Sequence, residues 1–214
     1  MTTPANRASR HTPNRRGEGD RLRRDLIAAA NTLLAQGVSH EKLSLRAVAR
    51  EVGIAATSVY LHFPDKMSLL LAVYQEHFEV LARHLEEAVA EHAAPADQLH
   101  AIAHAYCRFA GEHPDAYQVM FNVPGSTTRP PRAIGEEERP GLPAVRVVQR
   151  VISACVDAGI ARITDPWTAT LCLWGALHGV LSLRTARPTA PWPPVEDLID
   201  AIVATHLTTP DALQ

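Results

Sequence analysis

Apolar positions along this chain recur every three or four residues, in runs separated by glycine, proline or short polar clusters. Leu22, Leu26, Ala30 and Leu33 form the first run, which starts at Asp20 and is ended by Gly37. A short helix is predicted from a Ser44 cap through Val52, burying Leu45, Val48 and Val52, with Gly53 supplying the left-handed turn that stops it. A second short helix, roughly Ala55 to Leu61, follows at once. Asp65 is placed to cap a long helix with Leu69, Val73, Val80 or Leu81, Leu85 and Ala88 along one side. Glu86, Glu87 and Glu91 form its solvated face. Later helices open at proline, whose missing N–H costs nothing in a first turn: Pro95, Pro114, Pro143, Pro166 after Asp165, and Pro194.

Residues 1–19 lack periodicity and read as a disordered basic arm, and residues 122–142 read as a long loop. Strand alternation and internal repeats are missing from the pattern. The fold class predicted is therefore all-α, with about nine helices. The domain boundaries expected are an arm over 1–19, a small helical head over 20–66 and a larger helical domain over 67–214.

Composition adds an asymmetry. The formal net charge is −2, yet residues 1–66 hold 11 Lys/Arg against 6 Asp/Glu, and the remainder holds 10 against 17. A basic front and an acidic back point to a polyanion as the partner of the front. Arg7, Arg10, Arg15 and Arg16 of the arm could lie along phosphates or simply stay solvated. Cys107, Cys155 and Cys172 are odd in number and scattered, which fits free thiols in a reducing cytoplasm, the localisation expected. The longest charge-free run, Pro166 to Leu183, carries Thr168, Thr170, His178 and Ser182; a buried helix is expected there and no membrane span.

The chemistry concentrates in VGIAATSVYLHFPDK, Val52 to Lys66. Two short helices joined at a glycine, after an amphipathic helix, describe a helix-turn-helix. On the second helix Ala55, Val59 and Phe63 are expected to point inward, while Ala56, Thr57 and Tyr60 share the outer face. Small residues there allow the backbone close to a DNA groove, and Thr57 offers a hydroxyl and a methyl to base edges. Tyr60 and His62 can reach phosphate oxygens, and Lys66 can place a cation beside them.

Leu43 to Leu70, LSLRAVAREVGIAATSVYLHFPDKMSLL, resembles the DNA-binding segment of the TetR/AcrR family of bacterial transcriptional regulators. Ser44, Arg46, Val48-Ala49, Gly53-Ile54, Ser58-Val59-Tyr60, His62-Phe63 and Lys66 carry the resemblance. It implies DNA-binding residues Ser44, Arg46, Ala56, Thr57, Ser58, Tyr60, His62 and Lys66. Ala56 departs from the long polar side chain common at that position, which shifts base reading toward Thr57, Ser44 and Arg46. LWGALHGVLSL, Leu173 to Leu183, places Trp174, His178 and Gly179 as in the WHG-type C-terminal domain of some of these regulators. The resemblance implies a homodimer paired through 166–186 and 194–207, a near-palindromic double-stranded operator, and a small apolar effector in a C-terminal ligand-binding and dimerisation domain. A ligand-responsive regulator is expected, as a repressor released by its effector.

Tyr117, Met120, Phe121, Trp167, Leu171, Trp174 and His178 are the candidates for an apolar effector pocket, or for ordinary core. His100 and His104 stand at i, i+4 with Cys107 a turn further, but with no carboxylate beside them, so no metal site is expected. Phosphate loops, nucleophile elbows and paired carboxylates are missing, so no cofactor and no enzyme activity are expected. Two other readings stay open: a helical metal- or small-molecule-dependent enzyme, and an interaction module that has lost operator binding.

Overall fold

The computed structural model describes residues 18–121 and 140–208. The expected arm therefore lies almost wholly outside the described residues, as do positions 122–139 of the expected loop; Glu18 and Gly19 are already helical. Among the described residues there are nine helices, and the only extended pairing is an isolated antiparallel bridge between Ala161 and Leu207. The chain divides into two compact units, the first ending at Leu69 and the second beginning at Leu70.

In the first unit α1 (Glu18–Ala35) packs on α2 (Leu45–Val52), and α2 packs on α3 (Ala56–Tyr60). Leu26, Ala30 and Leu34 of α1, Leu45, Val48 and Ala49 of α2, Val59 of α3, Leu43 and Phe63 are all buried and make up the core of this unit. Leu34 rather than Leu33 completes the α1 stripe, and Ala49 is buried where Val52, the last residue before the turn, is only half-buried. Ser44 caps α2 with its Oγ accepting from Ala47 N at 3.2 Å, a contact worth about 1 kcal/mol. Gly53 takes φ +78° and turns its N–H back to the Ala49 and Arg50 carbonyls, closing α2 so that α3 can leave at an angle.

The long helix α4 (Lys66–Ala90) starts in the first unit and continues through the second. Asp65 opens it as expected, its carboxylate accepting from Ser68 N at 2.7 Å. Leu81, not Val80, is buried on its inner stripe, together with Val73, Phe78 and Leu85.

The second unit is built around α5 (Pro95–Glu112), which packs against α6 (Pro114–Phe121), α7 (Leu142–Asp157), α8 (Pro166–Ala186) and α9 (Val195–Ala204). Leu99, Ile102, Ala103, Tyr106 and Phe109 of α5 are buried, a 3.6-residue repeat facing α7 and its neighbours. Gly141 caps α7 at φ +93°, and a Cβ there would stand 3.2 Å from the Phe78 ring, so both backbone and space require glycine. Arg150 of α7 donates through both Nη atoms to the Glu86 carboxylate of α4. Past α9, Thr208 N donates to Ile160 O and Arg162 N to His206 O, tying the C-terminal segment to the turn before α8. No helix among the described residues is long and apolar enough to cross a membrane.

Candidate nucleic-acid interface and effector cavity

α3 is only five residues long, has no side-chain cap at its N-terminus, and is anchored at its C-terminal end. Val59 and Phe63 are buried, and the Arg23 guanidinium lies 5.1 Å from the centre of the Phe63 ring, so α1 clamps the turn that follows α3. Ala55, expected inward, is exposed: it is the extended N-cap, one residue before the helical register begins. Thr57 is exposed, Ala56 and Ser58 are half-buried, and Tyr60 is 52% exposed with its ring outward. Ser44 and Arg46 are exposed at the start of α2. The Ser44 hydroxyl keeps its hydrogen for another acceptor while its oxygen caps α2. His62 is half-buried beside the first turn of α1, where a Cβ added to Gly19 would come 3.9 Å from its Cε1.

Two features were not legible in the sequence. Leu61, the C-cap of α3, is 79% exposed and stands one turn after Thr57, so the outer face of α3 ends in a bare apolar side chain. Its hydrophobicity alone would have assigned it to the core, although the helical register places it on the Thr57 face. Lys66 does not reach outward from the head of α4. Its ammonium donates to the backbone carbonyls of His40 at 3.0 Å and Glu41 at 3.1 Å, so it holds the α1–α2 loop against the α4 N-terminus. Burial, with the Lys66 charge second, lowers the pKa of His40 in that loop.

In the second unit an apolar cavity of about 30 Å³ lies among α4, α5, α7 and α8. Phe78, Leu81, Ile102, Val148, Leu173 and Leu177 are among its walls, and Trp174 and Tyr106 border it. Of the seven pocket residues expected from sequence, Trp174 alone lines it. Met120 is buried elsewhere in the core, while Trp167 and Leu171 are 47% and 42% exposed on the far side of α8. The reason is that α8 is apolar around its whole circumference, so periodicity could not say which stripe turns inward.

Tyr117, Phe121 and His178 form an aromatic cluster bonded to Trp174 through a relay of polar atoms. Trp174 Nε1–H donates to Tyr106 Oη at 3.2 Å, and Tyr106 and Tyr117 hydroxyls are 3.2 Å apart. The Tyr117 hydroxyl is 2.6 Å from His178 Nδ1, and His178 Nε2 is 3.4 Å from Ser182 Oγ. Indole is a donor only, so the arrangement in which each hydroxyl also donates within the relay runs from Trp174 to Tyr106 to Tyr117 to His178. That order makes His178 neutral with an acceptor at Nδ1, in keeping with the lowering of its pKa by burial. Burial also raises Tyr106 and Tyr117, the latter to about 12. Phe121 packs on His178 at 4.5 Å and edge-on to Trp174 at 6.1 Å between ring centres.

On the opposite side of α5, His100 and His104 both face Asp200 of α9. The carboxylate missing from the neighbourhood of the histidines in sequence is thus supplied 96 residues away. Cys107 is buried, its thiol raised to about 12 by desolvation, and it takes no part.

Two short helices joined at a positive-φ glycine and packed on a third form a helix-turn-helix, which continues through α4 into an all-helical unit with an apolar cavity. Residues 26–73 match the sequence family described as bacterial regulatory proteins, tetR family. Residues 99–206 match the tetracyclin repressor-like C-terminal domain, a stretch that contains Trp174, His178 and Gly179. The chain belongs to the TetR family, whose members are generally transcription factors without enzymatic activity.

Solved structures share the fold. A protein of unknown function from Rhodococcus sp. RHA1 is 28% identical, with TM-score 0.69 over 91% of this chain and 96% of that one. FadR from Bacillus subtilis, solved with stearoyl-CoA, is 16% identical, with TM-score 0.63 over 85% of this chain and 95% of that one. SmeT, solved with triclosan, is 20% identical, with TM-score 0.64 over 88% and 92%.

Proposed function

We propose that this regulator is a homodimeric repressor that leaves its operator when a small, largely apolar molecule enters the second unit. The observation that carries the effector reading is the apolar cavity beside α4, the one helix that also belongs to the DNA-binding unit. Stearoyl-CoA in FadR and triclosan in SmeT, both solved on this fold, support an apolar ligand class for it. At about 30 Å³ the cavity holds little more than a water molecule, so such a ligand must displace its walls. Phe78, Leu81 and Leu85 of α4 are among those walls, so entry pushes on α4. The relay from Trp174 to His178 beside the cavity suits the polar end of such a molecule.

Each subunit inserts α3 into the major groove, with Thr57 and Leu61 on base edges and Tyr60 on phosphate. Ser44, Arg46, Ser58 and His62 complete the contact set, and Ala56 leaves room for the backbone to approach. Lys66 holds the loop in this reading, acting on DNA through position rather than contact. Dimerisation uses α8 and α9: Trp167, Leu171 and Leu183 are exposed on α8, and a Cβ at Gly175 or Gly179 meets nothing within 4 Å in its own chain. Two heads on a dyad axis read a near-palindrome at about one duplex turn. An effector that binds one head spacing better than the other shifts the population, by its differential affinity and no more.

The test is selection of binding sites from random duplex DNA by the purified protein, followed by competition with long-chain acyl and chlorinated aromatic compounds. Recovery of a palindrome, released by a compound whose effect is lost when Leu173→Trp fills the cavity, is the expected result. Recovery of no preferred sequence overturns the operator reading. Release that persists in the filled variant overturns the cavity.

A further inference from the structure

We propose that His100, His104 and Asp200 form a binding site for one divalent ion of the zinc class, bridging α5 and α9. The two histidines stand one turn apart on α5, and α9 brings the carboxylate between them. Asp200 Oδ1 lies 3.4 Å from His100 Nδ1 and 2.9 Å from His104 Nε2, and one ligand atom from each residue falls within 4.8 Å of the others. Zinc bonds of about 2.0–2.1 Å in a tetrahedron separate ligand atoms by roughly 3.3 Å. The three groups therefore reach an ion by small side-chain rotations, without moving either helix.

The donor set selects the class of ion. Two imidazoles and one carboxylate suit zinc, nickel, cobalt or copper, whereas calcium and magnesium need oxygen-rich shells. All three side chains are partly open to solvent, at 41%, 34% and 56% exposure for His100, His104 and Asp200, so the fourth position is left to water. Without an ion the same three groups form a hydrogen-bonded cluster, so the site is assembled in advance. An ion here fastens α9 to α5, and α9 also packs on α8. If the dimer forms through α8 and α9 as proposed above, the site braces that surface from behind. The binding itself does not depend on that reading.

The experiment is calorimetric titration of untagged full-length protein, stripped with chelator, with zinc chloride, in parallel with visible spectroscopy of added Co²⁺. One ion per chain is expected, with the strong absorption of four-coordinate cobalt and no competition from excess Mg²⁺. His104→Gln and Asp200→Asn each weaken binding by more than the roughly 10- to 100-fold that loss of an outer-shell partner costs. Cys172→Ser, which removes the exposed thiol, leaves it unchanged. Circular dichroism in chelator checks that the variants are folded, and His100→Gln serves if either is not. Zinc binding that survives His104→Gln combined with Asp200→Asn, or no stoichiometric binding in the parent, overturns the proposal.

Discussion

Replacing Lys66 with methionine separates two roles that the sequence left merged. Methionine keeps most of the apolar stem and removes the ammonium that donates to His40 O at 3.0 Å and Glu41 O at 3.1 Å. A hydrogen bond from a charged group contributes about 1.5–3 kcal/mol net. The Glu41 contact is exposed and counts for less, and freeing a lysine side chain returns up to ~2 kcal/mol of rotamer entropy. The expected net loss is about 1–2 kcal/mol, confined to the α1–α2 loop and the start of α4. Amide hydrogen exchange is the suitable assay, since a two-unit chain need not unfold in one step. Protection of loop amides such as Lys42 and Leu43, which bond Ser39 O, should fall about five- to thirtyfold. DNA binding should weaken with little change in the salt dependence, because no phosphate contact is removed. A slope shallower by about 0.9 per lysine, with exchange unchanged, would refute the strut and return Lys66 to the phosphates.

Other perturbations follow from the same geometry. Gly53→Ala has open space for its Cβ but must hold φ +78°, so the head should lose about 1 kcal/mol by denaturant titration. Gly141→Ala adds a 3.2 Å approach to the Phe78 ring and should cost more in the same measurement. Leu171→Glu puts a charge on the exposed face of α8 and should leave the folded chain monomeric in sedimentation, if α8 pairs subunits as proposed. His40, His77 and His178 have pKa values lowered below 6.5, chiefly by burial. The unfolded chain then binds their protons first, so stability should fall as pH drops from about 7 through 6.5 and below. Tyr74, Tyr106 and Tyr117 are raised above 10, so stability should fall again as pH rises past 10, where the unfolded phenols ionise first. Thermal melts across pH check both limbs, and a flat profile on either side refutes the corresponding assignment.

The proposed switch places a constraint on the effector. Because the cavity is small and its walls are side chains of four helices, binding and wall movement are one event. Interiors packed at crystal-like density transmit such displacement rather than absorb it. α4 is the element that both sites share through the covalent chain, which is why its wall residues Phe78, Leu81 and Leu85 are the positions at which coupling should be most sensitive.

What the sequence determined by itself was chiefly what has its cause within a few residues. Ser44, Asp65 and Asp165 open helices because a side-chain oxygen reaches an N–H three residues on, and Gly53 closes one because a residue without Cβ adopts a positive φ cheaply. The order of these local signals was enough to read the helix-turn-helix, the all-helical class and the family resemblance.

Only the tertiary structure decided questions that depend on which face meets which. It turned Leu173 and Leu177 of α8 inward and Trp167 and Leu171 outward, a choice that an evenly apolar helix leaves open. It left Leu61 bare, directed Lys66 to carbonyls more than twenty residues away, and brought Asp200 to a histidine pair 96 and 100 residues before it. Helical periodicity is a one-dimensional record of a helix's own faces; the partners of those faces are set by packing, which brings together residues that no local pattern connects.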